Sequence, residues 1–123
     1  MLIDQAPRCR LDAVAVLLDD EPLLNQTMLY FKPPRGRGQA LHQDMAIITI
    51  DPLLGVWAPL DQATAEVGPM IVVDKSHRDG FAAKRDADMS LSFTEGEAVP
   101  ARGREAIELE LDQGDVLFFD GRT

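Results

Sequence analysis

The sequence has a single cysteine, no long apolar run and few basic side chains, and each shortage excludes a class of protein. Cys9 alone cannot form an internal disulfide, which agrees with a reducing compartment and makes the cytoplasm the expected location. No apolar run approaches the roughly 18 residues that span a bilayer, and the first ten residues do not resemble a signal peptide. The 12 basic and 21 acidic residues give a net charge of −9, which disfavours nucleic acid and anionic membranes as partners.

The 123 residues suffice for one small domain, residues 1–123, and no repeat marks a second. RLDAVAVLLDDEP predicts the last turns of a helix that Pro22 stops. Six short runs predict strands joined by turns: LLNQTMLYF, LHQDMAIITI, VWAPL, PMIVVD, IELEL and VLFF. One short helix followed by six strands indicates a mainly β fold with two antiparallel sheets, a jelly roll or a related barrel.

The clearest alternation lies in AIELELDQGDVLFFD, near the end of the sequence. Apolar and acidic residues alternate in its first half, and Gln113-Gly114 then turns the chain into Val116–Phe119. This pattern predicts a hairpin with one solvent-exposed face. Residues 78–105, in contrast, are polar and have no sustained period, so we expect a long loop there, of the kind that often covers a site.

A histidine and a carboxylate stand two residues apart in LHQD. On a strand such residues share a face, with Cα atoms about 6.6 Å apart, so His42 and Asp44 would converge on one ion. One imidazole and one carboxylate are two thirds of the two-histidine, one-carboxylate triad that binds non-heme Fe(II). The tripeptide alone is weak evidence, because a strand-end histidine that hydrogen-bonds its neighbour has the same pattern.

The order of five segments resembles the phytanoyl-CoA dioxygenase family: QTMLYFKPP, LHQD, VWAPLDQAT, GPMIVVDKSHRDG and GDVLFF. Members of that family are Fe(II)- and 2-oxoglutarate-dependent oxygenases built on a double-stranded β-helix. The resemblance covers Asn25 to Gly80 and Glu108 to Phe119. It implies an incomplete, cupin-like double-stranded β-helix with a short N-terminal helix.

The resemblance also implies roles for individual residues. His42 and Asp44 match two of the metal ligands, and Met28 and Trp57 match positions that line the 2-oxoglutarate pocket. Gln43 is a weaker candidate for cofactor binding, because on a regular strand its side chain faces away from the metal. On composition alone, Met28 and Trp57 would also pass as ordinary core residues.

The remaining histidine, His77, matches a serine-histidine pair that shapes a turn in the family, so the resemblance implies a structural role. In the family the strand after GDVLFF continues to a second iron histidine, and an arginine that binds 2-oxoglutarate follows. Arg122 comes too early to be that arginine. We therefore expect the sequence to be the middle of a larger protein, shortened at both ends.

The reaction that the resemblance implies is hydroxylation of an unactivated C–H bond of a small organic substrate. Fe(II) is the implied cofactor, and 2-oxoglutarate is the co-substrate that is converted to succinate and CO2. With two of three metal ligands, we expect the chain alone to bind metal weakly and to show no turnover. Two other interpretations stay open: a non-catalytic β-barrel module that binds a small molecule or regulates a partner, and a cupin-type metal protein.

Overall fold

The computed structural model describes residues 6–123, and the side chains before Leu11, Cys9 among them, lie outside this description. The chain divides into two compact units, of which the first ends at Phe31 and the second begins at Lys32. Within residues 6–123, no helix has the length and apolar character needed to cross a membrane.

The N-terminal unit contains the predicted helix, α1 (Ala6–Leu18). It ends four residues before Pro22, because Asp19 adopts a left-handed conformation, with φ 53°, that no helix continues. The strand predicted for residues 23–31 is wrong: this run has no regular structure and joins no strand pairing of the described chain. Its apolar side chains are exposed, with Leu23 at 90% and Phe31 at 86%.

The C-terminal unit is built from three antiparallel strand pairs. These are β1 (Leu54–Trp57) with β6 (Leu117–Asp120), β2 (Met70–Val73) with β5 (Ala106–Leu109), and β3 (Ala83–Asp86) with β4 (Gly96–Val99). There are also two short 3-10 helices: Asp44–Ala46 precedes β1, and Ser76–Arg78 lies between β2 and β3. The described chain is therefore mainly β with one N-terminal helix, which confirms the predicted class and is consistent with an incomplete jelly roll.

The hairpin predicted for AIELELDQGDVLFFD is wrong in its pairing, although both strands exist. β5 pairs with β2 and β6 pairs with β1. Between them Gln113-Gly114 forms the predicted turn, in which the Asp115 N–H donates to the Asp112 carbonyl at 3.1 Å. Just before this turn, Leu111 exchanges two main-chain hydrogen bonds with Ala63, at 2.8 and 3.1 Å. The alternation of apolar and acidic residues indicates which face of a strand is exposed. It does not indicate which other strand is its hydrogen-bonding partner.

The long loop predicted for residues 78–105 is also wrong, because it contains the β3–β4 hairpin. All four residues of β3 are exposed, so this strand has no apolar alternation that the sequence could reveal. The hairpin is fixed to the preceding chain by main-chain hydrogen bonds from Gly38 to Leu91, from Phe93 to Gly38 and from Ala98 to Leu41, at 2.7–3.0 Å. It forms a wall beside the segment that leads into His42.

The core of the described chain is small. Met45, Ala63 and Val73 are buried, at 6–7% exposure, and so is Pro59. Met45 belongs to the first 3-10 helix, and its N–H donates to the carbonyl of Gly121 at 2.8 Å. The segment that carries His42 and Asp44 is thereby anchored to the chain that follows β6.

Candidate metal centre

The structure brings His42 and Asp44 together: Nε2 of the imidazole lies 3.3 Å from Oδ1 of the carboxylate. The strand expected for residues 41–50 is wrong, since Asp44 begins a 3-10 helix. The two side chains still converge because Gln43, between them, is extended, with φ −114° and ψ 121°. One extended residue is enough to place its two neighbours on the same side of the chain.

The imidazole is oriented by a second hydrogen bond. Nδ1 of His42 lies 2.8 Å from the carbonyl oxygen of Ala40, so Nδ1 carries a proton and donates it. This leaves Nε2 facing Asp44. A histidine that binds a metal usually donates its other ring N–H to a carbonyl or carboxylate, which fixes the tautomer. The Ala40 contact provides this arrangement.

The hydrogen bond to Asp44 raises the pKa of His42 above its ordinary value, partial burial opposes the rise, and the Ala40 carbonyl adds to it. In the neutral imidazole the Nε2 lone pair faces a carboxylate oxygen, and two lone pairs repel each other. A proton or a metal cation between the two atoms removes that repulsion. The geometry of the pair therefore suits a proton or a cation between the two atoms.

The spacing of the pair fits one divalent ion. Ligand atoms about 2.1 Å from one metal lie roughly 3.0–3.4 Å apart when they occupy neighbouring coordination positions, and the observed distance is 3.3 Å. The side chains are 34% and 30% exposed, so an ion has access from solvent. Across residues 6–123, no cluster of three or more histidine, cysteine or acidic side chains is suited to a metal. The described chain thus offers two candidate ligands at this position.

Gln43 makes contacts that the sequence did not indicate. Its side chain is 7% exposed, and its amide nitrogen donates to the carbonyls of Gly80, at 3.1 Å, and Arg122. Its amide oxygen accepts the N–H of Ala82 at 2.8 Å. Both amide hydrogens and one lone pair of the oxygen are thus used by main-chain atoms. The cofactor contact suggested for Gln43 stays a prediction.

A cleft of about 200 Å³ lies beside His42. The chain around residues 39–47 forms one side, and Ala82 with the β3–β4 hairpin forms the other. Lys84 and Glu97 bring charges to this second wall, and Glu97 is paired with Arg85 at 2.7 Å. The hairpin therefore forms a fixed, polar boundary next to the histidine.

The other predicted site residues lie elsewhere in the chain. Met28 belongs to the N-terminal unit, is 63% exposed, and its sulfur accepts a hydrogen bond from the Tyr30 hydroxyl at 3.6 Å. Trp57 is half-buried in β1, opposite Leu117. The 2-oxoglutarate roles of Met28 and Trp57 stay predictions. His77 lies in the second 3-10 helix and lines a separate cleft between β2 and β6.

Arg122 is engaged on both its main chain and its side chain. The carbonyl accepts from Gln43, and the guanidinium pairs with Asp51 at 2.5 Å. Asp120 accepts the Arg122 N–H at 2.8 Å, which shapes the turn after β6. These contacts give Arg122 a structural function. This agrees with the sequence, in which Arg122 comes too early to match the arginine that binds 2-oxoglutarate in the family.

Comparison with known proteins identifies one family. The family model for phytanoyl-CoA dioxygenase matches residues 3–123. A phytanoyl-CoA dioxygenase domain-containing protein 1 homolog from Caenorhabditis elegans is 36% identical over 67 residues, which are 51% of this chain and 23% of that protein. Phytanoyl-CoA dioxygenase 1 from Oryza sativa subsp. japonica is 27% identical over 103 residues, 81% of this chain and 37% of that protein. The chain thus spans well under half the length of these curated relatives, and no solved structure matches it significantly.

Proposed function

Since the chain belongs to the phytanoyl-CoA dioxygenase family, we propose that its protein is an Fe(II)- and 2-oxoglutarate-dependent dioxygenase that hydroxylates a small organic substrate. His42 and Asp44 are two of the metal ligands in this proposal. The observation that carries it is the 3.3 Å approach of Nε2 to Oδ1, with the other ring nitrogen held by Ala40. The family match and this geometry support the same assignment independently.

When bound, Fe(II) would supply the redox chemistry by which one O2 molecule oxidises both the substrate and 2-oxoglutarate. One oxygen atom enters the substrate C–H bond to give an alcohol. The other enters 2-oxoglutarate, which loses CO2 and becomes succinate. The chain's own residues hold and orient the reacting partners, and the organic substrate would lie in the cleft beside His42.

Each residue of the candidate centre has a definite task in this proposal. The Ala40 carbonyl accepts a hydrogen bond from the Nδ1–H of His42, so that Nε2 keeps its lone pair for the metal. Asp44 contributes one negative charge, which favours a divalent cation over a neutral ligand. Met28 and Trp57 are assigned to the 2-oxoglutarate pocket through the family pattern, and the β3–β4 hairpin limits access to the cleft from one side.

The proposal is tested on the full-length protein that carries this sequence, by anaerobic titration with Fe(II) and 2-oxoglutarate. We expect a visible charge-transfer band that requires both components, and succinate formation once O2 is admitted. The same titration with His42→Ala is expected to give neither signal. If the unaltered protein binds neither Fe(II) nor 2-oxoglutarate, the proposal is wrong and the non-catalytic β-barrel module takes its place.

A further inference from the structure

Gln43 is one of two polar residues found buried in the described chain, at 7% exposure, and Ser92 is the other. Its partners, Gly80, Ala82 and Arg122, lie 37, 39 and 79 residues further along the chain. The donor and acceptor pattern of these main-chain atoms fixes which end of the amide is nitrogen. A buried amide with three such bonds joins segments that are distant in sequence.

The three partners lie in two parts of the chain next to the candidate centre: the segment before β3 and the segment after β6. Gly80 and Ala82 lead into β3, the first strand of the hairpin that walls the cleft. Arg122 follows β6, beside Gly121, which accepts the Met45 N–H at 2.8 Å. Gln43 and Met45 thus hold the same short segment from two sides, and Asp44 lies between them.

The conformation of Gln43 decides whether the two metal ligands meet. It is the extended residue, with φ −114° and ψ 121°, between His42 and the 3-10 helix that begins at Asp44. A helical Gln43 would rotate the two neighbouring side chains about 200° apart around the axis and separate them. The hydrogen bonds of the Gln43 amide hold the extended conformation.

We propose that Gln43 is a positioning residue that sets the spacing of His42 and Asp44 and couples this pair to the β3–β4 wall of the cleft. The inference rests on the proposed function, because the pair matters as a metal centre. Removal of the amide leaves the N–H of Ala82 and the carbonyls of Gly80 and Arg122 without this partner. The backbone at Gln43 then loses its restraint, and the ligand pair is no longer held at one separation.

The test compares Gln43→Met with Gln113→Met in the full-length protein. Methionine keeps a similar length and removes the amide. Gln113 is a matched control, because it is exposed and donates one hydrogen bond, to the carbonyl of Leu60 at 2.7 Å. The readouts are Mn²⁺ affinity, the visible absorption of bound Co²⁺, which reports ligand geometry, and the circular dichroism of the metal-free protein.

For a folded Gln43→Met variant, we expect Mn²⁺ affinity to fall by about 10- to 100-fold, the range typical when the hydrogen-bond partners of metal ligands are lost. The Co²⁺ spectrum should change as well, and Gln113→Met should match the unaltered protein in both. Unchanged affinity and spectrum in a folded Gln43→Met variant overturn the role of Gln43 alone. An unaltered protein that binds no Mn²⁺ overturns both the metal centre and this role.

A second measurement on the unaltered protein covers the case in which Gln43→Met does not fold. Hydrogen exchange of the Ala82 amide, which is bonded to Gln43, is followed by mass spectrometry with and without Mn²⁺. Coupling through Gln43 predicts slower exchange at Ala82 when Mn²⁺ is bound. Equal exchange rates in the two states overturn the proposal.

Discussion

Gly121 lies directly against Met45, and their main chains are joined by a hydrogen bond of 2.8 Å from the Met45 N–H to the Gly121 carbonyl. The Gly121 N–H in turn donates to Leu53 at 2.8 Å. A Cβ atom added to Gly121 would lie 2.9 Å from Cγ of Met45 and 3.0 Å from Cβ of Leu53. The candidate metal centre therefore rests on a close approach that leaves no space for a methyl group.

We expect Gly121→Ala to lower the free energy of unfolding by about 1–3 kcal/mol, as overpacking of a filled site typically does. Urea denaturation measures the change. Gly96→Ala is the matched control, because no atom lies within 4 Å of the added Cβ and Gly96 does not have a positive φ. Its effect should stay within about 0.5 kcal/mol. Equal losses in the two variants would contradict the close packing at Gly121.

The two histidines of the chain should differ sharply in their effect on metal binding. We expect His42→Ala and Asp44→Ala to weaken Mn²⁺ binding by more than the roughly 100-fold that loss of an outer hydrogen-bond partner costs, because each removes a ligand. His77→Ala should leave the affinity unchanged, since His77 lies in another 3-10 helix and lines a separate cleft. Mn²⁺ titration followed by electron paramagnetic resonance measures all three, and a comparable loss in His77→Ala would refute the assignment.

The stability of the metal-free protein should depend on pH through His42. The hydrogen bond to Asp44 raises the His42 pKa in the folded state above the ordinary value of 6.5, so the folded protein binds this proton more tightly than the unfolded chain. The resulting stabilisation is fully present below pH 6.5 and is lost as the pH rises through the folded-state pKa.

Thermal unfolding in the presence of a chelator, repeated across this pH window, measures the effect. His42→Gln is the reference, because glutamine is polar and does not titrate. We expect the melting temperature of the unaltered protein to fall relative to that of His42→Gln as the pH increases above 6.5. Parallel profiles for the two proteins would show that the proton on His42 contributes nothing to stability.

The predicted convergence of His42 and Asp44 is found even though the secondary structure expected for them is wrong. The sequence placed His42 and Asp44 on one face of a strand, and the chain instead enters a 3-10 helix at Asp44. The convergence holds because only the single residue between them has to be extended. The two-residue spacing of His42 and Asp44 was therefore a better guide to their contact than the secondary structure predicted for residues 41–50.

The contacts of Gln43 and the β3–β4 hairpin could not be read from the sequence. The partners of Gln43 are main-chain atoms 37 to 79 residues away, and main-chain atoms leave no signature in residue types. All four residues of β3 are exposed, so its sequence has no hydrophobic periodicity from which a strand could be predicted. The sequence likewise predicted both β5 and β6 and did not predict their partner strands, β2 and β1.

Ser92, in the loop of the β3–β4 hairpin, is hydrogen-bonded to Ala40 in the chain that leads into His42. It is 4% exposed, and its hydroxyl oxygen accepts the N–H groups of Ala40, at 3.0 Å, and Thr94, at 2.9 Å. We expect Ser92→Ala to lower the free energy of unfolding by about 1–3 kcal/mol, because buried N–H groups lose an acceptor. Hydrogen exchange at the Phe93 amide, which donates to Gly38 at 3.0 Å, should accelerate.

Ser90→Ala is the matched control for this variant. Ser90 is exposed, and its hydroxyl bonds only to the neighbouring Asp88, at 2.7 Å. Its removal should change the free energy of unfolding by no more than about 0.5 kcal/mol and leave exchange at Phe93 unaltered. If Ser92→Ala and Ser90→Ala behave alike in both measurements, the hairpin is not held through Ser92. The Ala40 carbonyl that orients His42 must then be fixed by other hydrogen bonds, such as the one from the Ala40 N–H to Oγ1 of Thr94 at 3.3 Å and the main-chain bonds of Gly38 and Leu41.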